Sequence, residues 1–198
     1  MDLKSLLYSQ VPGAKPGQGS LLIADPMMRE EYFFRSVVMI LDVPDGGGQL
    51  GLVLNKGTRL TLKDLMPDWE SGEHVPVFSG GPVDMERLFL LHTLGDVFPD
   101  AMEVCPGIFV GGDVDDIISY IDSGGEVEGK MRFFLGYCGW APSQLRHEIE
   151  RHSWAVNNNP GGPELLTGEG MEYWRHEVEN LGPDYRSWLM VPPDPSYN

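Results

Sequence analysis

Only two cysteines occur in this 198-residue chain, and they cannot form the disulfide framework of a small secreted fold. Long apolar runs are missing as well: nowhere do eighteen apolar residues follow one another, so no membrane-spanning helix is expected. Basic residues are scarce, with 14 Lys and Arg against 30 Asp and Glu and a formal charge of −16. Nucleic-acid binding draws most of its affinity from basic side chains that neutralise phosphates, so direct contact with DNA or RNA is not expected. An anionic membrane surface is disfavoured for the same reason. The N-terminal stretch has an acidic second residue and no apolar core, unlike a secretory signal. The expected compartment is a reducing cytoplasm, and the expected state a monomer or small homo-oligomer.

What is present is a globular composition, 41% hydrophobic and 22% charged, with 25 Gly and 16 Pro to serve turns between short strands. One domain over residues 1–198 is expected, with residues 1–18 as an N-terminal arm or short helix and 192–198 as a flexible tail. Strand-like runs are SLLIADP, RSVVMILD, LGLVLNK, VPVFSGG, RLFLLHT, GIFVGG and KMRFFLGY, and RSWLMV reads as a last strand. VPDGGGQ between the second and third runs reads as a hairpin loop, and GGPVDME as a turn. Thr61 and Asp64 open a short helix. DVDDIISYIDSGG reads as a helix capped by Asp113, with Val114, Ile117, Ile118 and Ile121 on its apolar face. MEYWRHEVENLG reads as another, stopped at Gly182–Pro183.

The stretch GYCGWAPSQLRHEIERHSW decides whether an active site should be sought. A strand ends at Tyr137 and a helix starts near Pro142. In that register Trp140 and Leu145 take the positions of a hydrophobic staple, and Gln144 reaches back to the N–H of the cap residue. Leu145, Ile149 and His152 then share a face. His147 and His152, five residues apart, diverge by roughly 140° on a helix and cannot share a metal ion, so no metal is expected. Cys138 lies where a strand meets a helix start, a place that can favour a thiolate, with His92 or His152 as a base. The competing reading is a buried cysteine acting as a small hydrophobe. Gly80 and Gly81 suit either a tight turn or an anion cradle. Asn55 ends an apolar strand with an amide, suited to hold a turn or meet a ligand. The candidate ligand-binding residues are Asn55, Gly80, Gly81, Tyr137 and Trp140, with no catalytic constellation and no cofactor expected.

GSLLIADP, FFRSVVMI, GLVLNK, VFSGGPV, LLHT and FFLGYCGWAPSQLRHEIERHSW follow one another in an order that resembles the YqgE/AlgH family over residues 19–156, with little contribution from the C-terminal forty. The resemblance implies an α+β fold in which a strongly curved, split, mostly antiparallel sheet forms a pseudo-barrel flanked by a few helices. It also implies a cytoplasmic bacterial protein without assigned catalytic residues; one branch bears the name of a transcriptional regulator. Cys138 and Ser143 stand where small residues such as alanine or glycine are usual, which favours packing over nucleophilic chemistry at Cys138. The function expected is a non-enzymatic module that binds a small molecule or a protein, with indirect effects on transcription. The alternative is a hydrolase or transferase using Cys138 or a histidine.

Overall fold

The computed structural model describes residues 15–42 and 48–192. The expected arm and tail therefore lie mostly outside the described residues, as does most of the VPDGGGQ loop. Ten strands form one curled sheet. These are β1 (Leu21–Ala24), β2 (Val37–Asp42), β3 (Gln49–Val53), β4 (Gly57–Thr61), β5 (Pro76–Ser79), β6 (Val83–His92), β7 (Met102–Cys105), β8 (Ile108–Val110), β9 (Met131–Trp140) and β10 (Trp154–Asn157). The main path runs β10-β1-β2-β3-β9-β6-β8-β7, with β4 on β5 and β5 on β9. Every pairing is antiparallel except β5 with β9. The helices are α1 (Leu62–Leu65), α2 (Val114–Asp122), α3 (Gln144–Glu150) and α4 (Gly170–Asn180). The fold is α+β, a strongly curled half-barrel with a few helices. Its curl brings the far edge back toward the start: Gln18 Nε2 donates to the Glu103 carbonyl on β7 at 3.3 Å.

The apolar runs of β1 and β2 are explained by burial on both faces. Leu21, Ile23, Val37, Met39 and Leu41 enter one core with Trp174 and Val178 of α4. Their alternates Leu22, Ala24, Val38 and Ile40 enter a second core with Cys138, Trp140, Leu145 and Trp154. A third core joins Ile117 and Ile121 of α2 to Val77, Phe98 and Phe133.

β9 organises the sheet. Its first half lies between β6 and the parallel β5, and its second half pairs with β3, Gly51 opposite Cys138. The exchange of partners occurs at Gly136, which has φ 70°. A side chain there would overlap the Gly81 carbonyl oxygen, one at Gly80 the Gly136 oxygen, and one at Gly81 the Tyr137 backbone. Gly80 fills the seam: its N–H donates to the Leu135 carbonyl, and its own carbonyl accepts from the Val53 N–H, both at 2.8 Å.

Several expectations are corrected. GGPVDME is not a simple turn, because β6 begins at Val83 and bulges Asp84–Arg87 opposite Gly136. β4, β7 and β10 were not expected as strands. RSWLMV belongs to a 3-10 helix, Pro183–Met190, since Gly182 at φ 98° and Pro183 start a helical turn. Val114 is exposed while Ile117 and Ile121 are buried, because Asp113 places Val114 in the first turn, outside the packed stripe. Asp113 caps α2 by accepting from Asp115 N–H at 2.9 Å, and Thr61 with Asp64 forms a capping box on α1.

Gly136→Ala is expected to cost at least about 2 kcal/mol, combining left-handed strain with backbone overlap. Gly139→Ala on the same strand, where an added methyl meets only Tyr137 Cε2 at 3.4 Å, should stay within about 0.5 kcal/mol. Urea unfolding of the two variants measures both; equal losses would show that the seam is not the constraint.

Candidate functional site

Near the C-terminal end of β9 the surface opens into a cavity of about 550 Å³. β9, α3 and β10 line it through Cys138, Gly139, Trp140, Glu148 and Trp154, together with residues between 25 and 33 after β1 and with Pro82–Val83. The strand–helix corner holds the β9–α3 part of this lining. Gln144 Oε1 accepts the Ala141 N–H at 3.0 Å, the contact expected for a helix opening there. α3 itself starts two residues later than Pro142, after Ser143 at φ 68°, and ends at Glu150. His152 therefore does not continue the Leu145–Ile149 face: it lies past the helix end, exposed, at φ 61°.

Glu148 is the polar centre. Its Oε2 accepts the indole N–H of Trp140 at 2.9 Å and of Trp154 at 2.8 Å, and its Oε1 accepts the Gln144 amide at 2.9 Å. The two indoles meet edge to face at 6.3 Å, and Phe33 packs edge-on against Trp154 at 5.6 Å. A carboxylate bridging two indole donors fixes both rings without a bound partner. Next to this wall, Tyr32 and Ser79 share a 2.6 Å hydroxyl hydrogen bond, and Lys56 lies over the Tyr32 ring at 5.1 Å. Burial lowers the Lys56 pKa and raises that of Tyr32.

Of the candidate residues, Trp140 lines the cavity. Tyr137 is half-buried and packs against Phe89 at 6.0 Å. Gly80 and Gly81 are buried in the seam with β9, and the residues that follow them reach the cavity. Asn55 is buried elsewhere: its Oδ1 accepts the Val37 N–H at 2.9 Å, and its Nδ2 donates to the carbonyls of Arg35 and Gly170. The five do not converge on one site. Arg29, Phe33, Glu148, Arg151 and Trp154 were not among the candidate ligand-binding residues. Only the place of Glu148 between two tryptophans in sequence hints at its role.

Cys138 lines the cavity as a buried thiol that donates weakly to the Gly80 carbonyl at 3.5 Å. Burial pushes its pKa up to about 12, against a smaller opposing effect of Lys56. Cys105 is raised to about 11, also chiefly by burial. His152 lines the same cavity, whereas His92 pairs with Met131 at the other end of β9, about 23 Å along the strand from Cys138. Burial lowers the His92 pKa.

Residues 21–186 match the family described as AlgH-like. The chain belongs to the AlgH-like family. The match includes α4 and much of the segment beyond it, so the C-terminal part contributes more than the sequence resemblance implied. A UPF0301 protein of Parabacteroides distasonis is 41% identical over 184 residues, 92% of each chain. Another from Bacteroides thetaiotaomicron is 36% identical over the full length of both. The solution structure of AlgH from Pseudomonas aeruginosa superposes with a TM-score of 0.68 at 25% identity, covering 91% of this AlgH-like chain and 97% of that one. A crystal structure from Corynebacterium diphtheriae gives 0.72 at 21% identity over 88% and 92% of the chains, and shows the shared fold. No helix among the described residues of this AlgH-like protein is long and apolar enough to cross a membrane.

Glu148→Ala leaves two buried indole donors without their acceptor and is expected to cost about 2 kcal/mol with a red-shifted tryptophan emission; Glu148→Gln, which keeps one acceptor, should cost less. Denaturant titration followed by fluorescence and circular dichroism tests this, and an Ala variant within 0.5 kcal/mol of the parent (roughly the scatter of surface changes) would remove Glu148 from its bridging role. The thiols supply a second test. With a pKa of about 12, only roughly one Cys138 in ten thousand is thiolate at pH 8. A disulfide reagent such as DTNB should label neither cysteine rapidly in the folded protein and both in guanidinium. Fast native labelling at Cys138 would reopen nucleophilic chemistry.

Proposed function

We propose that this AlgH-like protein is a non-catalytic, cytoplasmic binding module that takes a small organic molecule into the cavity beside Trp140 and Trp154 and signals occupancy to a protein partner. Any effect on transcription is then indirect, in keeping with a charge of −16 that repels nucleic acid. The observation that carries this reading is the cavity itself. At about 550 Å³ it falls within the range of ligand sites, and its aromatic wall is held rigid by the Glu148 bridge before any ligand arrives. Preorganisation of this kind reduces the entropy lost on binding. The enzymatic alternative retains one observation, Cys138 and His152 on the same cavity. The burial that keeps the thiol protonated speaks against it.

Met28 offers a direct test, because it lines the cavity, is half-buried, and packs against the core that holds Trp140 and Trp154. Native mass spectrometry of protein purified gently from its own bacterium is expected to find a bound small molecule on the parent chain. It should find none on Met28→Trp, whose larger side chain takes up cavity volume while the fold, checked by circular dichroism, persists. A bare parent chain, together with no stabilising compound in a thermal-shift screen of metabolites, would overturn the reading.

A further inference from the structure

We infer that the cavity selects a small organic anion, whose apolar or flat body lies along the Trp140–Trp154 wall and whose carboxylate, phosphate or sulfonate group is received between Arg29 and Arg151. This deepens the proposed function and rests on the cavity being a ligand site.

Three observations carry it. The first is charge placement. Only 14 Lys and Arg are spread over a chain with 30 Asp and Glu, yet Arg29, Arg151 and His152 line this single cavity. Arginine presents a planar fork of donors that matches carboxylate and phosphate oxygens. The second is the state of the acidic groups around it. Both oxygens of Glu148 are occupied, by two indoles and the Gln144 amide. Asp25 is buried and accepts the Met27 N–H at 2.6 Å. These two carboxylates thus serve the wall. Glu30 is exposed and lines the same cavity. It sets a limit on the ligand: a polyanion meets Glu30 as well as the arginines.

The third observation is backbone conformation. β1 and β10 are antiparallel neighbours, Ala24 opposite Trp154, and the Asp25 N–H donates to the Ser153 carbonyl at 3.0 Å. The segment bearing Arg29 and the turn bearing Arg151 and His152 therefore leave adjacent strand ends that are tied together. Within that turn His152 has φ 61°, a left-handed conformation that glycine adopts with less strain. A side chain held in such a conformation at a cavity edge is the pattern seen where strain is kept for binding.

The test uses two dyes that share an aromatic body. 8-Anilinonaphthalene-1-sulfonate is an anion, and N-phenyl-1-naphthylamine lacks the sulfonate. The sulfonate is expected to bind saturably, one per chain, with quenching of tryptophan emission. The Arg29→Gln/Arg151→Gln double variant should weaken it about tenfold or more, as loss of a charge-assisted contact implies, and leave the neutral dye unchanged. Equal affinity for both dyes, or sulfonate binding indifferent to the arginine substitutions, would overturn the anion assignment and leave the cavity reading standing. Dye binding that persists unchanged in Met28→Trp, or no binding of either dye, would remove the cavity reading as well.

Discussion

Backbone lies directly on backbone where Gly80 and Gly81 meet Gly136, and the sheet depends on that contact. A ten-residue strand can be shared among three partners only if one partner ends and another begins along its edge. At Gly80 the parallel β5 ends, and the same residue's N–H and carbonyl connect β9 to β3. No side chain fits between. The seam also sets the position of the cavity, since Pro82 and Val83 leave it on one side and Cys138 to Trp140 on the other. The glycines that looked like a possible anion cradle thus act one step removed from the cavity wall.

Buried polar side chains do comparable work for the C-terminal part of the chain. Asn55 ties β2 and the start of α4 to the end of β3. Arg132, buried in β9 with its guanidinium over the Phe78 ring at 4.2 Å, donates to the carbonyls of Leu54, Leu166 and Gly168. Burial lowers its pKa, and what compensates is a set of backbone carbonyls with the face of an aromatic ring. Trp174 Nε1 donates to the Ala24 carbonyl at 2.9 Å, closing α4 onto β1. These bonds anchor the helix that covers the inner core. The opposite face is left to α3 and the cavity.

The parts of the fold that were legible in the sequence are those where local pattern and burial agree. β1, β2 and β3 read as apolar runs because both faces are covered, and α2 was marked by Asp113 at its start. β4 has no such pattern: Gly57–Thr61 is exposed over most of its length. β7 carries an exposed Met102 and Glu103 and is recognisable only by its pairing with β8. Trp154 and Ala155 of β10 followed a helix whose end was set by His152 in a left-handed turn, which histidine does not announce. The candidate site was less legible still. Its walls combine residues 25–33, 82–83 and 138–154, segments that meet only when the sheet curls. Trp140 was visible as a corner residue. Glu148 was not, because a glutamate on a short helix looks solvated until a second tryptophan arrives from the next strand.

The shared strand also bears on how the chain is made. Synthesis proceeds from the N-terminus at roughly 5–20 residues per second, so about 3 to 11 seconds separate the appearance of Gly81 from that of Gly136. By the end of that interval β3, β5 and β6 have been made without the strand that joins them, and β1 still lacks β10 on its outer edge. The nascent half-sheet is then a set of apolar ribbons with open edges, vulnerable to pairing with one another in the wrong order or with a neighbouring chain. Folding is therefore largely delayed until the second half of translation.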